Sequence, residues 1–320
     1  MKYNHNAYFC RQVNKLSVMD NIIRMDTVDV YNKMFGLVTL NPLVSVVDLA
    51  EATRFPKRFT INYGVYAVYL KETKCGDIRY GRQKYDYQDG TIVSFAPGQV
   101  AETEVLEGMR PMAKGVLFHP DLIKGTSLGR EIKTYSFFSY SSNEALHLSE
   151  EERGIIIDCL AKTKAEISRP IDRLSRQLTV RNIQLLLDYC LRFYNRQFVT
   201  RMDANNDVLV RFEALLDDYC QDGRLRREGV PSVKYFAERV FLSPNYFGDL
   251  IKKTTGKTPL DYIQAKITGM AKDLLLDTEM TVSQIADELG FQYPQHLNRM
   301  FKKNVGVTPT EYRKGEKVRG

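Results

Sequence analysis

Along the last third of the chain, apolar residues recur at spacings of three and four, and the pattern occurs twice. After Ser232, Val233, Phe236, Ala237 and Val240 fall on one helical face, and Phe247, Leu250 and Ile251 form a second face further on. After Thr281, Val282, Ile285, Ala286 and Leu289 repeat the first face, and Leu297, Met300 and Phe301 repeat the second. The copies align at an offset of 49 residues before the turn and 50 after it. Lys252-Lys253 then meets Lys302-Lys303, Gly256 meets Gly306, Thr258-Pro259 meets Thr308-Pro309, and Tyr262 meets Tyr312. Two copies are too few for a solenoid; they read as one duplicated unit of helix, tight turn and helix.

Punctuation at the helix ends agrees with the periodicity. Ser232 caps the first helix, and Ser243-Pro244 places a cap and a first-turn proline before the second. Thr281 and Gln284 form a capping-box pattern, Gly290 permits the sharp turn, and Pro294 opens the last of the four helices. Between the copies, Ile263, Ile267, Met270, Ala271, Leu274 and Leu275 form one stripe on a helix expected from Pro259 to about Thr278. Some twenty helical residues span about 30 Å. That is close to the roughly 34 Å between successive major-groove faces on one side of DNA. The burial pattern turns Asn245, Gly248, Asp249 and Lys252 outward in the first copy, and Gln295, Asn298, Arg299, Lys302 and Lys303 in the second, with His296 next to that face. Glutamine pairs with adenine, arginine with guanine and lysines with phosphates, so such a face suits double-stranded DNA. His296 either touches a phosphate or covers the turn.

From Leu37 to about Leu117 the period changes to two. Thr60–Leu70 is rich in aromatic and β-branched residues, Tyr80, Tyr85 and Tyr87 surround polar turns, and Gln88-Asp89-Gly90 precedes a strand over Thr91–Phe95. Ser149 with Glu152 starts a helical region, Arg169-Pro170 marks a break, and Ile183, Leu186, Leu187, Cys190 and Tyr194 form a stripe at helical spacing. The polar run Asn205-Asn206-Asp207 suits the start of a linker.

Composition narrows the class. Apolar residues make up 43% of the 320, enough for more than one core. The five cysteines are scattered without zinc spacing, which favours buried free thiols and a reducing compartment. No secretory leader and no membrane-length apolar run is present, so the expectation is a cytoplasmic protein without a membrane. Of the net charge of +7, Val230–Gly320 carries +4, from 14 Lys and Arg against 10 Asp and Glu. The excess is concentrated where the duplicated unit lies, but it is too modest for a sequence-indifferent DNA-packaging protein. The histidines, His5, His119, His147 and His296, form no HxH pair. There is no nucleotide-binding glycine motif and no nucleophile–base constellation, so neither enzyme activity, metal nor cofactor is expected.

The stretch IADELGFQYPQHLNRMFKKNVGVTPTEYR resembles the C-terminal domain of AraC/XylS-type transcription regulators, with Ile285-Ala286, Gly290-Phe291, Phe301-Lys302-Lys303, Gly306, Thr308-Pro309 and Tyr312-Arg313 on the family signature. The resemblance implies base-reading roles for Asn245, Gly248, Asp249, Gln295, Asn298 and Arg299. Phosphate contacts are expected from Lys252, Lys253, His296, Lys302 and Lys303. Gly248 and Asp249 depart from expectation, since one has no side chain and the other repels phosphate. The second copy is therefore expected to carry more of the direct readout.

GTIVSFAPGQ resembles the cupin-like jelly roll often found before such domains, and the run from Phe118 to Arg153 looks like a subgroup found in Bacteroidetes-like bacteria. In the family, helices placed like the stripe at 183–194 pair two subunits. The same stripe equally suits packing on its own β domain; dimerisation is the favoured expectation. The fold class expected is α+β multidomain: a cupin-like sensor over 1–148, a helical dimerisation region over 149–204, and an all-α double helix-turn-helix domain over 205–320. A small organic effector is expected among Tyr63, Tyr66 and Tyr69, with Arg58 or Arg79 for an anion. RNA polymerase is a further candidate partner. The competing class is a metal-dependent cupin enzyme with an accessory DNA-binding domain.

Overall fold

The alternation between Leu37 and Leu117 resolves into two hydrogen-bonded sheets. The computed structural model describes residues 11–12, 22–56, 58–72, 78–80, 83–85, 90–104, 112–141 and 144–317. They divide into an N-terminal unit, Met1–Thr200, and a C-terminal unit, Arg201–Gly320.

The strands of the N-terminal unit are β1 (Arg11–Gln12), β2 (Ile22–Met25), β3 (Val44–Asp48), β4 (Arg58–Tyr63), β5 (Tyr66–Lys71), β6 (Ile78–Tyr80), β7 (Gln83–Tyr85), β8 (Thr91–Phe95), β9 (Val100–Glu104), β10 (Ala113–Phe118) and β11 (Leu146–His147). One sheet has the order β1-β9-β4-β2 and the other β11-β8-β5-β10-β3, while β6 and β7 pair as a hairpin. Its helices are α1 (Val28–Phe35), α2 (Pro120–Ile123), α3 (Ser127–Glu131), α4 (Glu150–Ile167) and α5 (Ser175–Thr200). The core between the sheets joins Ile61, Tyr63 and Ala101 from one to Val47, Ala67, Tyr69, Val93, Phe95 and Leu117 from the other, with Val28, Tyr31 and Phe35 of α1 packed against them.

Every residue of β8 is buried. A strand covered on both faces reads as a continuous apolar run rather than an alternation. The second cover comes from α5 and the aromatic turn Ser136–Ser139, where Phe137 stacks on Tyr194 at 5.5 Å, while α4 packs at the β3 edge of the same sheet. Ser149 and Glu152 cap α4 reciprocally, and the chain breaks between Ile167 and Ser175, around Arg169-Pro170. Ile183, Leu186, Leu187, Cys190 and Tyr194 are all buried inside this unit. Of the two readings of this stripe, that burial favours packing on its own β domain. The helices of 149–200 belong to the same compact unit as the sheets.

The C-terminal unit is all helical: α6 (Met202–Gln221), α7 (Arg224–Glu228), α8 (Val233–Arg239), α9 (Pro244–Thr255), α10 (Pro259–Asp277), α11 (Val282–Glu288), α12 (Pro294–Val305) and α13 (Pro309–Lys317). Asn205-Asn206-Asp207 lies within α6, not in a linker. Tertiary packing overrides the polar composition there: Asn205 is itself buried, and Phe212 of α6 meets the rings of Phe236 and Phe247 edge-on at 5.2 Å each. Thus α6 anchors the pair α8–α9. The pair α11–α12 rests on α10 and α13, with Phe301 against Tyr312 at 5.5 Å and the Arg313 guanidinium donating to the carbonyls of Leu275 at 2.8 Å and Met280 at 2.7 Å. Ile263, Ile267, Ala271 and Leu275 bury the inner stripe of α10.

Candidate nucleic-acid interface

Two helices, α9 and α12, carry the outward residues singled out above. Each has 12 residues, opens on a proline and closes on a left-handed glycine, Gly256 or Gly306, whose amide donates to the carbonyl of Lys252 or Lys302. Tyr246, Phe247, Leu250 and Ile251 bury one face of α9; Leu297 and Phe301, with Met300 half-buried, bury that of α12. The opposite faces are left to solvent. On α9, Asn245, Lys252 and Lys253 are exposed, and Gly248 and Asp249 are half-buried. On α12, Gln295, His296, Arg299, Lys302 and Lys303 are exposed, and Asn298 is half-buried.

A Cβ added at Gly248 would meet nothing within 4 Å, so packing does not require the glycine. The lysine pairs occupy the last turns of their helices, where cations suit the helix dipole. Asp261 is held below the ordinary carboxylate range, first by the Thr258 hydroxyl and amide and then by the charges of Lys303 and Lys252. A lysine from each helix is therefore felt at the start of α10.

Residues 236–315 match a family profile described as a helix-turn-helix domain. Over 84 residues the chain is 33% identical to the arabinose operon regulatory protein of Escherichia coli, covering 26% of this chain and 29% of that protein. The C-terminal unit carries a helix-turn-helix domain, similar in sequence to that regulator. An uncharacterized HTH-type transcriptional regulator of Bacillus subtilis, YtdP, is 38% identical over 77 residues, covering 24% of this chain and 10% of the relative. The C-terminal domain of a two-component response regulator, yesN, from Fusobacterium nucleatum superposes with a TM-score of 0.27 at 28% identity, covering 32% of this chain and 96% of that one. The chain thus spans less than a third of the length of these two curated relatives.

Within the helix-turn-helix domain, the ring of His296 stands edge-on to Tyr293 at 5.6 Å, over the turn before α12. One residue escaped the sequence reading. Phe241, in the turn between α8 and α9, has a φ of 61° and is 78% exposed. The repeat itself held the signal, since the 49-residue offset sets Phe241 opposite Gly290. Left-handed backbone at a bulky residue is strained.

The residues proposed for an effector do not share one surface. Tyr63 stacks on Phe95 at 4.5 Å and Tyr69 sits in the same core, where burial raises its hydroxyl pKa well above the ordinary value. Tyr66 lies on the opposite face of β5, stacked on Phe118 at 5.1 Å. Residues three apart in a strand point to opposite sides, so Tyr66 and Tyr69 of β5 face different ways. Arg58 and Arg79 lie in strands, but their side chains are outside the described residues. His119 is a helix cap, its Nδ1 accepting from the Asp121 amide at 3.1 Å, and His147 is buried in β11, its amide donating to Gln197 at 2.8 Å. Among the described residues no group of three or more His, Cys, Asp or Glu is placed to hold a metal, and no helix is long and apolar enough to cross a membrane.

Proposed function

We propose that the protein is a sequence-specific transcription regulator whose helix pairs α8–α9 and α11–α12 are two helix-turn-helix units presenting α9 and α12 to adjacent major-groove segments of DNA. The observation that carries this is the repeat of one outward layout, a lysine pair in the last turn beside a polar face, on two helices joined by α10. In this reading Gln295, Asn298 and Arg299 read bases. Lys252, Lys253, Lys302 and Lys303 hold phosphates, and the His296 ring covers the turn.

The N-terminal unit is the sensor, a cupin-like jelly roll for a small organic effector, with the interior rings of Tyr63 and Tyr69 as its aromatic surface. A homodimer would pair through the outward face of α5, where Leu178 and Leu185 are exposed, with Leu174 exposed just before the helix, and not through the buried stripe. RNA polymerase is the further partner, and the cytoplasm the compartment.

The test is selection of genomic DNA fragments by the full chain. Enrichment of one motif with two half-sites supports the reading. Recovery of fragments without a shared motif refutes it.

A further inference from the structure

The two helix pairs are joined by α10, and a second element also bridges them. On one side α7 holds the first pair: the Arg224 guanidinium donates to the Tyr235 hydroxyl of α8 at 2.9 Å, and the Tyr235 ring meets Tyr219 of α6 edge-on at 5.0 Å. Leu225 is buried beneath it. On the other side Arg226 reaches α11, 3.3 Å from Glu288 and 3.7 Å from Asp287.

The closest approach is backbone against backbone. Gly229 ends α7 with φ +84°; its amide donates to the Leu225 carbonyl at 2.9 Å, and its carbonyl accepts from the Tyr219 hydroxyl at 3.0 Å. Gly290, in the turn between α11 and α12, lies directly on it. A Cβ at Gly290 would stand 2.2 Å from the Leu225 oxygen and 2.9 Å from both Cα and the carbonyl carbon of Gly229.

The first pair supplies an internal control. Its turn has the same left-handed backbone, φ 61°, but there the residue is Phe241 and it is mostly exposed. The turn alone therefore tolerates a side chain. What excludes one at Gly290 is contact with the end of α7.

The link through α10 is also incomplete as a spacer, because residues 278–281 between α10 and α11 are not helical. Contact from α7 closes a circuit through α6, α7, α11 and α10, and a closed circuit resists rotation about that joint.

We propose that α7 and the Gly229–Gly290 contact form a second strut that sets the spacing and rotation of α9 relative to α12, and so the half-site separation the domain accepts. The inference rests on the DNA-binding reading above. Gly290, Gly229 and Arg226 are positioning residues and need not touch DNA.

The probe is a duplex recovered from a random pool by the wild-type full chain. Alongside it go versions with one or two base pairs inserted between its half-sites, a single half-site, and a scrambled duplex. Linked modules lose effective concentration when their geometry loosens. Gly290→Ala is expected to cut the preference for the native spacing by roughly tenfold, while half-site affinity changes less than about threefold. Gly306→Ala is the control for backbone strain, with φ +91° but nothing within 4 Å of its Cβ, and it should keep the preference. Should Gly290→Ala not fold, Arg226→Glu turns the pairs with Asp287 and Glu288 repulsive from an exposed position and carries the same comparison. An unchanged spacing preference in the folded variant overturns the strut. A wild-type chain that binds scrambled and selected duplexes alike overturns the DNA-binding reading itself.

Discussion

The helix pairs α8–α9 and α11–α12 agree in scaffold and differ in what they turn to solvent. Both second helices run 12 residues from a proline to a left-handed glycine, with apolar residues at matching inward positions and two lysines at the end. Outward, Gly248 stands where the second pair has Asn298, and Asp249 where it has Arg299. In the first turn, Tyr246 is fully buried, while its counterpart His296 is exposed. Positions facing the core are held by volume and capping, so a duplicated unit keeps them. Outward positions carry no packing constraint and are shaped by what they meet. On the proposed DNA-binding reading, this difference gives side-chain readout to α12 and close backbone approach to α9.

The largest expected effect tests what the pairs share. Replacing Lys302 and Lys303 by Ala should weaken binding to every duplex and lessen the salt slope by roughly one unit per lost phosphate contact; Lys252 and Lys253 should behave alike. Titrations at several salt concentrations decide it. An unchanged slope in either double mutant removes that pair from the phosphate contacts.

Next come the residues that differ. Arg299→Ala should cost about 1–3 kcal/mol on the selected duplex and much less on a scrambled one, since a forked guanidinium contact to guanine is lost. Asp249→Ala should shift both duplexes by less than about threefold. Equal losses on both duplexes for Arg299→Ala would mean that it touches only phosphate.

Gly248→Ala separates fold from function. The site is open and helical, so alanine should raise unfolding stability by about 0.5–1 kcal/mol. Binding to the selected duplex should nevertheless fall, because the new methyl stands where α9 approaches DNA. Stability and affinity rising together would contradict backbone approach.

The smallest effect concerns the caps after each pair. Asp261 and Glu311 are held below their ordinary values, chiefly by hydrogen bonds from Thr258 and from the Thr308 amide and hydroxyl. A depressed carboxyl stabilises the fold above its unfolded pKa, near 4, and that contribution is lost as pH falls through the folded value. Acid titrations of Asp261→Asn and Glu311→Gln should therefore show a slightly shallower loss of stability below about pH 4 than wild type. Identical curves would show that neither cap discriminates between folded and unfolded chain.

Much of this was legible in residue order because it rests on local physics. The helix starts at Ser232, Ser243-Pro244, Thr281 and Pro294, the cap at Ser149, and the outward placement of Gln295, Arg299 and the lysine pairs follow from spacing and capping. Three features turn on neighbours that are distant in the chain. The stripe at 183–194 is the same pattern whether it meets a second subunit or its own sheet. Asn205-Asn206-Asp207 is polar enough for a linker until packing draws it into a helix. Tyr63, Tyr66 and Tyr69 look like one cluster until the strand pleat parts them.

By itself, then, the sequence determined the duplicated helix pairs, their caps, their apolar faces and the chemistry of the outward residues, because each depends on neighbours within a turn or two. Only the tertiary structure decided that the α5 stripe is interior, that β8 is covered on both faces, and that Gly290 is barred from a side chain by the end of α7 while Phe241 is not. Spacing specifies which face of a helix is apolar, but not what lies against it. Contact between residues some sixty positions apart is set by how the elements pack.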